Sequence, residues 1–326
     1  MRPVLSVALC TFNGCKYLKE QLLSIVGQEL IVDEIVICDD CSNDETLSII
    51  KEIQDRCPEI TWNVQRNSYS LGVTKNFEKA LSLCTGDIIF LSDQDDVWLP
   101  SKTRCIVEYF ERHPEVNLVF TDAVLIDGNG VLKTSKTLFD ACGLRQLMGV
   151  WNSGLQFEIE NVIQRLLGAT FGVRRSFVQY CLPFSNEVNN YHDGQLAMHS
   201  VVQKCNGMID ECLIQYRIHG SNVVGLGGEN NWVYGRKESP DEMAQLVEPR
   251  LINPFFLLPY ADAIRERVDF YKKRVELYSR FMGKVCLIIL FYKYIYFYKQ
   301  YWWRFFVSDV LYGVSDSVRV RLLATR

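Results

Sequence analysis

The sequence predicts an α/β fold built on a doubly wound, mostly parallel central sheet, followed by a helical C-terminal appendage. Three observations carry this. Short apolar runs alternate four times with stretches of helical spacing before residue 100. The apolar runs end in small polar or acidic residues, which puts the chemistry at the carboxyl ends of the strands, where open α/β sheets bind ligands. Beyond residue 250 the alternation stops, and basic and aromatic residues take over.

The first strand is Leu5–Leu9, followed by Cys10-Thr11-Phe12-Asn13-Gly14. Lys16 to Gly27 has helical spacing, with Tyr17, Leu18, Leu22, Ile25 and Val26 on one side. The second strand, Glu34–Cys38, ends in Asp39-Asp40. Ser42-Asn43-Asp44-Glu45 has a capping-box pattern and predicts a helix over 45–56. Ile60–Gln65 reads as a third strand, and Val73–Cys84 as a helix carrying Lys75, Asn76 and Phe77. Gly86-Asp87 turns the chain into a buried strand, Ile88–Leu91, which delivers Asp93, Asp95 and Asp96 into a loop. Three carboxylates within four residues repel one another unless a cation sits among them. Oxygen ligands suit a hard divalent ion, Mg²⁺ or Mn²⁺; a solvated acidic turn is the plain alternative.

Ser101 to His113 reads as a helix stopped by Pro114, and Val116–Phe120 as a strand. Asp127-Gly128-Asn129-Gly130 carries hairpin turn chemistry. A helix over 158–167 ends in Gly168-Ala169-Thr170, whose small residues let backbone approach a ligand closely. Another helix, Asp193–Cys205, has His192-Asp193 at its amino end. Cys212–Ile218 is a strand running into His219-Gly220-Ser221-Asn222. The expected organisation is an α/β domain over 1–225, a mobile loop or linker over 226–250, and a helical region over 251–326.

Composition sets the outer bounds. The 326 residues are 48% hydrophobic and 23% charged, enough for a substantial core. A net charge of −4 argues against binding nucleic acid through phosphate contacts. The 12 cysteines are scattered, and Cys38-x-x-Cys41 lacks the second pair a zinc site needs. Met1-Arg2-Pro3 leads straight into a strand with no secretory pattern, so reduced thiols and a cytoplasmic location are expected. In the tail, Val285–Tyr292 is apolar but too short to span a bilayer, and Lys293 and Lys299 interrupt it. Basic residues mixed with Trp and Tyr suit a helix lying in the headgroup region of the inner face of a cytoplasmic membrane. A helix docked on the α/β domain or on a second subunit is the alternative.

Four elements at strand ends now stand in a recognisable order: Ala8-Leu9-Cys10-Thr11-Phe12-Asn13, Ile37-Cys38-Asp39-Asp40-Cys41-Ser42-Asn43-Asp44, Asp93-Gln94-Asp95-Asp96, and His192-Asp193. With Val97-Trp98-Leu99-Pro100-Ser101-Lys102 and Tyr216-Arg217-Ile218-His219, the chain resembles family 2 glycosyltransferases of the GT-A fold. The rhamnosyltransferase-like members of bacterial polysaccharide synthesis are the most similar, and the resemblance covers roughly the first 225 residues. It implies a nucleotide diphosphate-sugar donor (UDP- or dTDP-linked), Mn²⁺ or Mg²⁺ as cofactor, and a glycan or lipid-linked saccharide acceptor.

Residue by residue, the resemblance implies nucleotide-sugar contacts from Thr11, Asn13, Asp39, Asp40 and Lys75. It implies a ribose contact from Asp93 and a metal contact from Asp95, with Asp93 and His219 completing the metal shell and Arg217 neutralising phosphate charge. Asp193 is implied to be the general base of an inverting displacement. Trp98, Gly168, Ala169, Thr170 and His192 are implied on the acceptor side. Asp193-Gly194-Gln195 departs from relatives that carry a bulky aromatic after the acid. Plainer readings stand beside these: Asp39-Asp40 as an Asx turn, Asp193 as a first-turn helix acid, Trp98 as core, and Lys75 as a solvated helix residue. Two rival functions share the features. A haloacid-dehalogenase-type phosphohydrolase also uses Asp-x-Asp at a strand end, though there the motif follows the first strand. A non-catalytic nucleotide-sugar-binding or membrane-scaffold protein would keep the fold alone.

Overall fold

The computed structural model describes residues 2–142, 144–145, 166–184 and 191–220, all within one compact unit. In chain order its elements are β1 (Leu5–Thr11), α1 (Leu18–Val26), β2 (Glu34–Asp39), α2 (Thr46–Arg56), β3 (Thr61–Arg66), α3 (Val73–Leu83) and β4 (Ile88–Ser92). Then come β5 (Val97–Trp98), α4 (Lys102–Arg112), β6 (Leu118–Ile126), β7 (Leu132–Thr137) and α5 (Leu138–Ala141). A 3₁₀ turn (Gly168–Thr170), β8 (Gly172–Arg174), α6 (Arg175–Cys181), α7 (His192–Val202) and β9 (Asn206–Arg217) complete the described chain.

These strands form one mixed sheet in the order β3-β2-β1-β4-β8-β6-β9-β5, with β7 paired to β6. β3, β2, β1 and β4 run parallel, as the alternation of strands and helices requires. The second half of the sheet mixes directions: β8 is antiparallel to β4 and β6, while β9 is parallel to β6. Central strands β1, β2 and β4 are covered on both faces, which is why they read as continuous apolar runs. Leu5, Val7, Leu9, Ile35, Ile37, Ile88 and Phe90 share a core with Leu18, Leu22 and Ile25 of α1, Ile50 and Ile53 of α2, and Ile106 and Phe110 of α4. The alternate residues Ala8 and Val36 are also fully buried, and α3 packs against β1 and β2.

Three differences from the sequence reading have clear causes. Ser42 does not cap α2; its hydroxyl bonds Asp39, and Asp44 receives the Thr46 N–H instead. β6 extends to Ile126 because the Asp127–Gly130 turn prolongs the pairing into the β6–β7 hairpin. β9 starts at Asn206, since its first half is half-exposed and lacks the apolar run that marked Cys212–Ile218. Most of the helix expected over 158–167, the linker over 226–250 and the tail over 251–326 lie outside the described residues. Among the described residues no helix is long and apolar enough to cross a membrane.

Candidate active site

β1 has β2 on one side and β4 on the other, so the loops after these three strands meet at the point where the strand order reverses. Thr11 and Asp39 are register partners at the ends of β1 and β2, and the Thr11 hydroxyl donates to Asp39 Oδ1 at 2.9 Å. Asp39 is fully buried and also accepts the Ser42 N–H at 3.0 Å, with the Arg66 guanidinium 3.9 Å away. Asn13 adopts φ +47°, a region Asn tolerates better than most residues. Its N–H donates to Ser42 Oγ and its Oδ1 receives the Asn43 N–H, which joins the β1 and β2 loops.

Two residues expected at the nucleotide are engaged elsewhere. Asp40 accepts from Asn67 Nδ2, Ser70 Oγ and the N–H groups of Leu71 and Gly72, at 2.7–3.0 Å. Burial works against its charge, yet the bonds from Leu71, Ser70 and Asn67 hold the carboxyl below its usual range. Its oxygens hold the 67–72 segment and are not open to a base. Lys75 bonds Glu78 at 2.8 Å and the Phe184 carbonyl at 2.9 Å, so it ties α3 to the chain after α6.

In the acidic loop, Gln94 accepts the Phe12 N–H at 2.9 Å and donates to the Phe12 carbonyl at 3.0 Å. Asp96 is buried; its Oδ1 accepts the Arg217 N–H at 2.9 Å, and its Oδ2 has no partner among the described residues. Asp95 Oδ2 lies 2.9 Å from His219 Nε2. Arg217 takes a different place from the phosphate-facing one expected. Its guanidinium is 2% exposed and bonds the Asp95 carbonyl at 2.7 Å and Glu20 at 2.6 Å, over the Tyr17 ring. It props the acidic loop against α1. Burial, then the charges of Asp95 and Asp193, push the Asp93 carboxyl up to about 7. Asp96 is pushed up as well, by burial and then by Asp95 and Asp93.

The Gly168–Thr170 turn packs against both β4, which leads into the acidic loop, and α7, which starts at His192. Asp193 Oδ2 accepts the Gly168 N–H at 3.1 Å and Oδ1 accepts the Gly194 N–H at 2.8 Å, which fixes the carboxylate. Gly168 has no room for a side chain: a Cβ there would meet Asp193 Cβ at 3.0 Å and His192 Nε2 at 3.1 Å. His192 stacks on Phe77 at 3.7 Å, and burial pushes its imidazole down to about 4, so it is neutral. Gly168, Ala169 and Thr170 are buried in the 3₁₀ turn beside it. Trp98 is not a platform for a sugar. It is 3% exposed, against Phe90 and under the Lys102 ammonium at 3.9 Å.

Sequence reasoning gave Gln94 and Lys102 no separate task. For Lys102 a signal existed: Lys102, Ile106 and Phe110 recur every four residues on one helix face, so the lysine falls on the buried side of α4.

Among the described residues, no three His, Cys, Asp or Glu side chains form a closed metal cage. The residues nonetheless fit a hard divalent ion. Asp95 and His219 present an oxygen and a nitrogen at one point, next to carboxylates whose mutual repulsion a cation relieves. Ions of this class are commonly held by one or two carboxylates and completed by substrate phosphates and water.

Comparison with known proteins agrees with this geometry. A family model described as glycosyl transferase family 2 matches residues 6–181. An uncharacterised glycosyltransferase of Methanocaldococcus jannaschii is 32% identical over 138 residues, 41% of this chain and 47% of that protein. The match thus spans about half the length of this curated relative. The structure of Staphylococcus aureus TarS 1–349 in complex with UDP-GlcNAc superposes with a TM-score of 0.54 at 18% identity, over 90% of this chain and 80% of that one. A mannosyltransferase from Pyrobaculum calidifontis, in complex with GDP-Man and Mn²⁺, gives 0.51 at 15% identity, over 97% and 89%. At these identities the structural likenesses establish the fold, which is GT-A.

Proposed function

The chain belongs to glycosyl transferase family 2, and we propose that it is an inverting, divalent-metal-dependent hexosyltransferase acting on a UDP- or dTDP-linked sugar. The observation that carries the reading is the hold of the Gly168 N–H on the Asp193 carboxylate, in a turn that packs against β4, the strand that leads into the acidic loop. A base on one side of a cleft and a diphosphate site on the other is what a single displacement at an anomeric carbon requires.

In this mechanism Thr11, Asn13 and Asp39 line the nucleotide end, and Asp93 takes the ribose. A divalent cation held by Asp95 and His219, when bound, offsets the negative charge of the departing diphosphate. Asp193 accepts the proton of an acceptor hydroxyl as its oxygen bonds the anomeric carbon, and the carbon–oxygen bond to the diphosphate breaks with its electron pair. The Gly168 and Gly194 N–H groups hold one Asp193 oxygen each, which fixes the carboxylate plane and leaves the remaining lone pairs to accept the acceptor proton. The buried turn Gly168–Thr170 and neutral His192 flank that side.

The acceptor in this proposal is a glycan hydroxyl, lipid-linked, in cell-surface polysaccharide synthesis, with a rhamnosyltransferase-like specificity. Residues 1–225 make the catalytic domain, 226–250 a linker, and 251–326 a helical region on the inner face of the cytoplasmic membrane. The order of motifs supports the specificity, and the basic, aromatic tail supports the location.

Release of nucleotide diphosphate from UDP-, dTDP- and GDP-sugars, with Mn²⁺ or Mg²⁺, tests the reading. One donor class is expected to turn over only with metal, and Asp193→Asn to cut the rate about a hundredfold or more. Unchanged turnover in Asp193→Asn would remove the base assignment.

A further inference from the structure

We infer that Lys102 is a positioning residue that holds the Gly168–Thr170 turn, and through it the Asp193 carboxylate, in register with the acidic loop. The inference rests on the reading of Asp193 as the base. Lys102 is the first residue of α4 and is fully buried. Its Nζ donates to the Ala169 carbonyl at 2.8 Å, from a point 3.9 Å over the Trp98 ring. Burial pushes its ammonium down to about 7, and the charges of Asp96 and then Asp93 oppose that shift.

An ammonium is an expensive way to fill a core, because it must be desolvated and compensated. A methionine would occupy similar volume without that cost. What Lys102 adds is a contact on each side: the turn carbonyl on one, and on the other the ring of Trp98, two residues beyond Asp96 of the acidic loop. The turn's own bonds are local, from Thr170 to Leu167 and from Phe171 N–H to the Gly168 carbonyl. They shape the turn; its exit is tied to β4 by the Leu91 N–H on the Phe171 carbonyl at 3.3 Å, and Lys102 ties its middle. One residue before Ala169, the Gly168 N–H grips Asp193 Oδ2, and the lack of space at Gly168 transmits any shift of the turn to α7. The path from acidic loop to base therefore runs Trp98, Lys102, Ala169, Gly168, Asp193.

The test compares Lys102→Met, which removes donor and charge, with Lys102→Gln, which keeps a shorter N–H donor without the charge. Both are made in the full chain. Amide hydrogen exchange over 167–171 is expected to speed up about tenfold in Lys102→Met and less in Lys102→Gln, with β2 unchanged. The rate of diphosphate release is expected to fall about ten- to a hundredfold, with donor KM within about twofold. In an Asp193→Asn background the same substitution is expected to cost less than about twofold, since the two residues act as a unit. Unchanged exchange at 167–171 in either folded variant would overturn the inference, as would an equal rate loss with and without Asp193. If Lys102→Met does not fold, exchange in Lys102→Gln decides alone. A wild-type protein without turnover would remove the transferase reading, while the exchange result would still decide the Lys102–turn link.

Discussion

Gln94 and Phe12 are joined in both directions: the side-chain amide accepts the Phe12 N–H at 2.9 Å and donates to the Phe12 carbonyl at 3.0 Å. This pair stitches the acidic loop after β4 to the loop after β1, so the two loops share one support. Gly14 makes the pair possible, because a Cβ there would lie 2.2 Å from Gln94 Oε1. Gln94→Ala is expected to lower stability by about 1 kcal/mol and to raise donor KM more than it lowers kcat. Gly14→Ala should reproduce the KM effect by displacing Gln94, and should add little once Gln94 is already alanine. Additive KM effects in the double variant would separate the two residues.

Asp40 is a clamp for the 67–72 segment. Removing it strands the donors of Asn67, Ser70, Leu71 and Gly72. Asp40→Ala is expected to cost about 2–4 kcal/mol in denaturant unfolding. Asp40→Asn should also be costly, because one end of an amide cannot accept the N–H groups the carboxylate accepts. The fraction that folds should retain its preference among nucleotides, and a changed preference would return Asp40 to the base site.

The Arg217 strut makes a paired prediction. Arg217→Met leaves the Asp95 carbonyl without its buried donor and is expected to cost about 2–3 kcal/mol. Its partner Glu20 is 56% exposed, and Glu20→Gln should cost less than ~1 kcal/mol. Equal costs for both would mean that the ion pair, and not the carbonyl contact, carries the strut.

Much of this architecture is legible in the sequence, and the gaps have physical reasons. The parallel half of the sheet follows from apolar runs buried on both faces, as in Ile35–Ile37 and Ile88–Leu91. The pairing of Asp95 with His219, 124 residues apart, was accessible because each ends a strand of the sheet. Which way a side chain turns at a strand end was not. Asp39 and Asp40 look equivalent in sequence, yet successive side chains point to opposite faces, and of the two carboxylates it is that of Asp40 that bonds the 67–72 segment. Trp98 suits a sugar platform or a core equally until Phe90 and Lys102 are seen against it. The spacing of α4 puts Lys102 on the buried face, but its partner, a backbone carbonyl, leaves no trace in the sequence.

His192 provides a pH signature. Burial pushes its imidazole down to about 4, against about 6.5 in an unfolded chain. Between these values the unfolded state binds the extra proton, so stability falls as pH drops from 6.5 towards 4. His192→Phe keeps an aromatic ring against Phe77 and removes the titration. The stability of wild type relative to this variant should be flat above pH 7 and decline by up to ~3 kcal/mol on acidification to pH 4. A difference that does not vary with pH would mean that His192 takes up its proton equally in the folded and unfolded chain, and that burial does not hold it neutral.

The most direct test of a nucleotide–metal site in the acidic loop is thermal stabilisation by UDP, dTDP, GDP and CMP, each with and without Mn²⁺, on wild type and Asp95→Ala. A ligand that binds only the folded state raises the Tm by mass action. The expected result is a shift with UDP or dTDP that requires Mn²⁺ and disappears in Asp95→Ala. No shift with any of the four nucleotides, or an equal shift in Asp95→Ala, would contradict a donor site built on this loop.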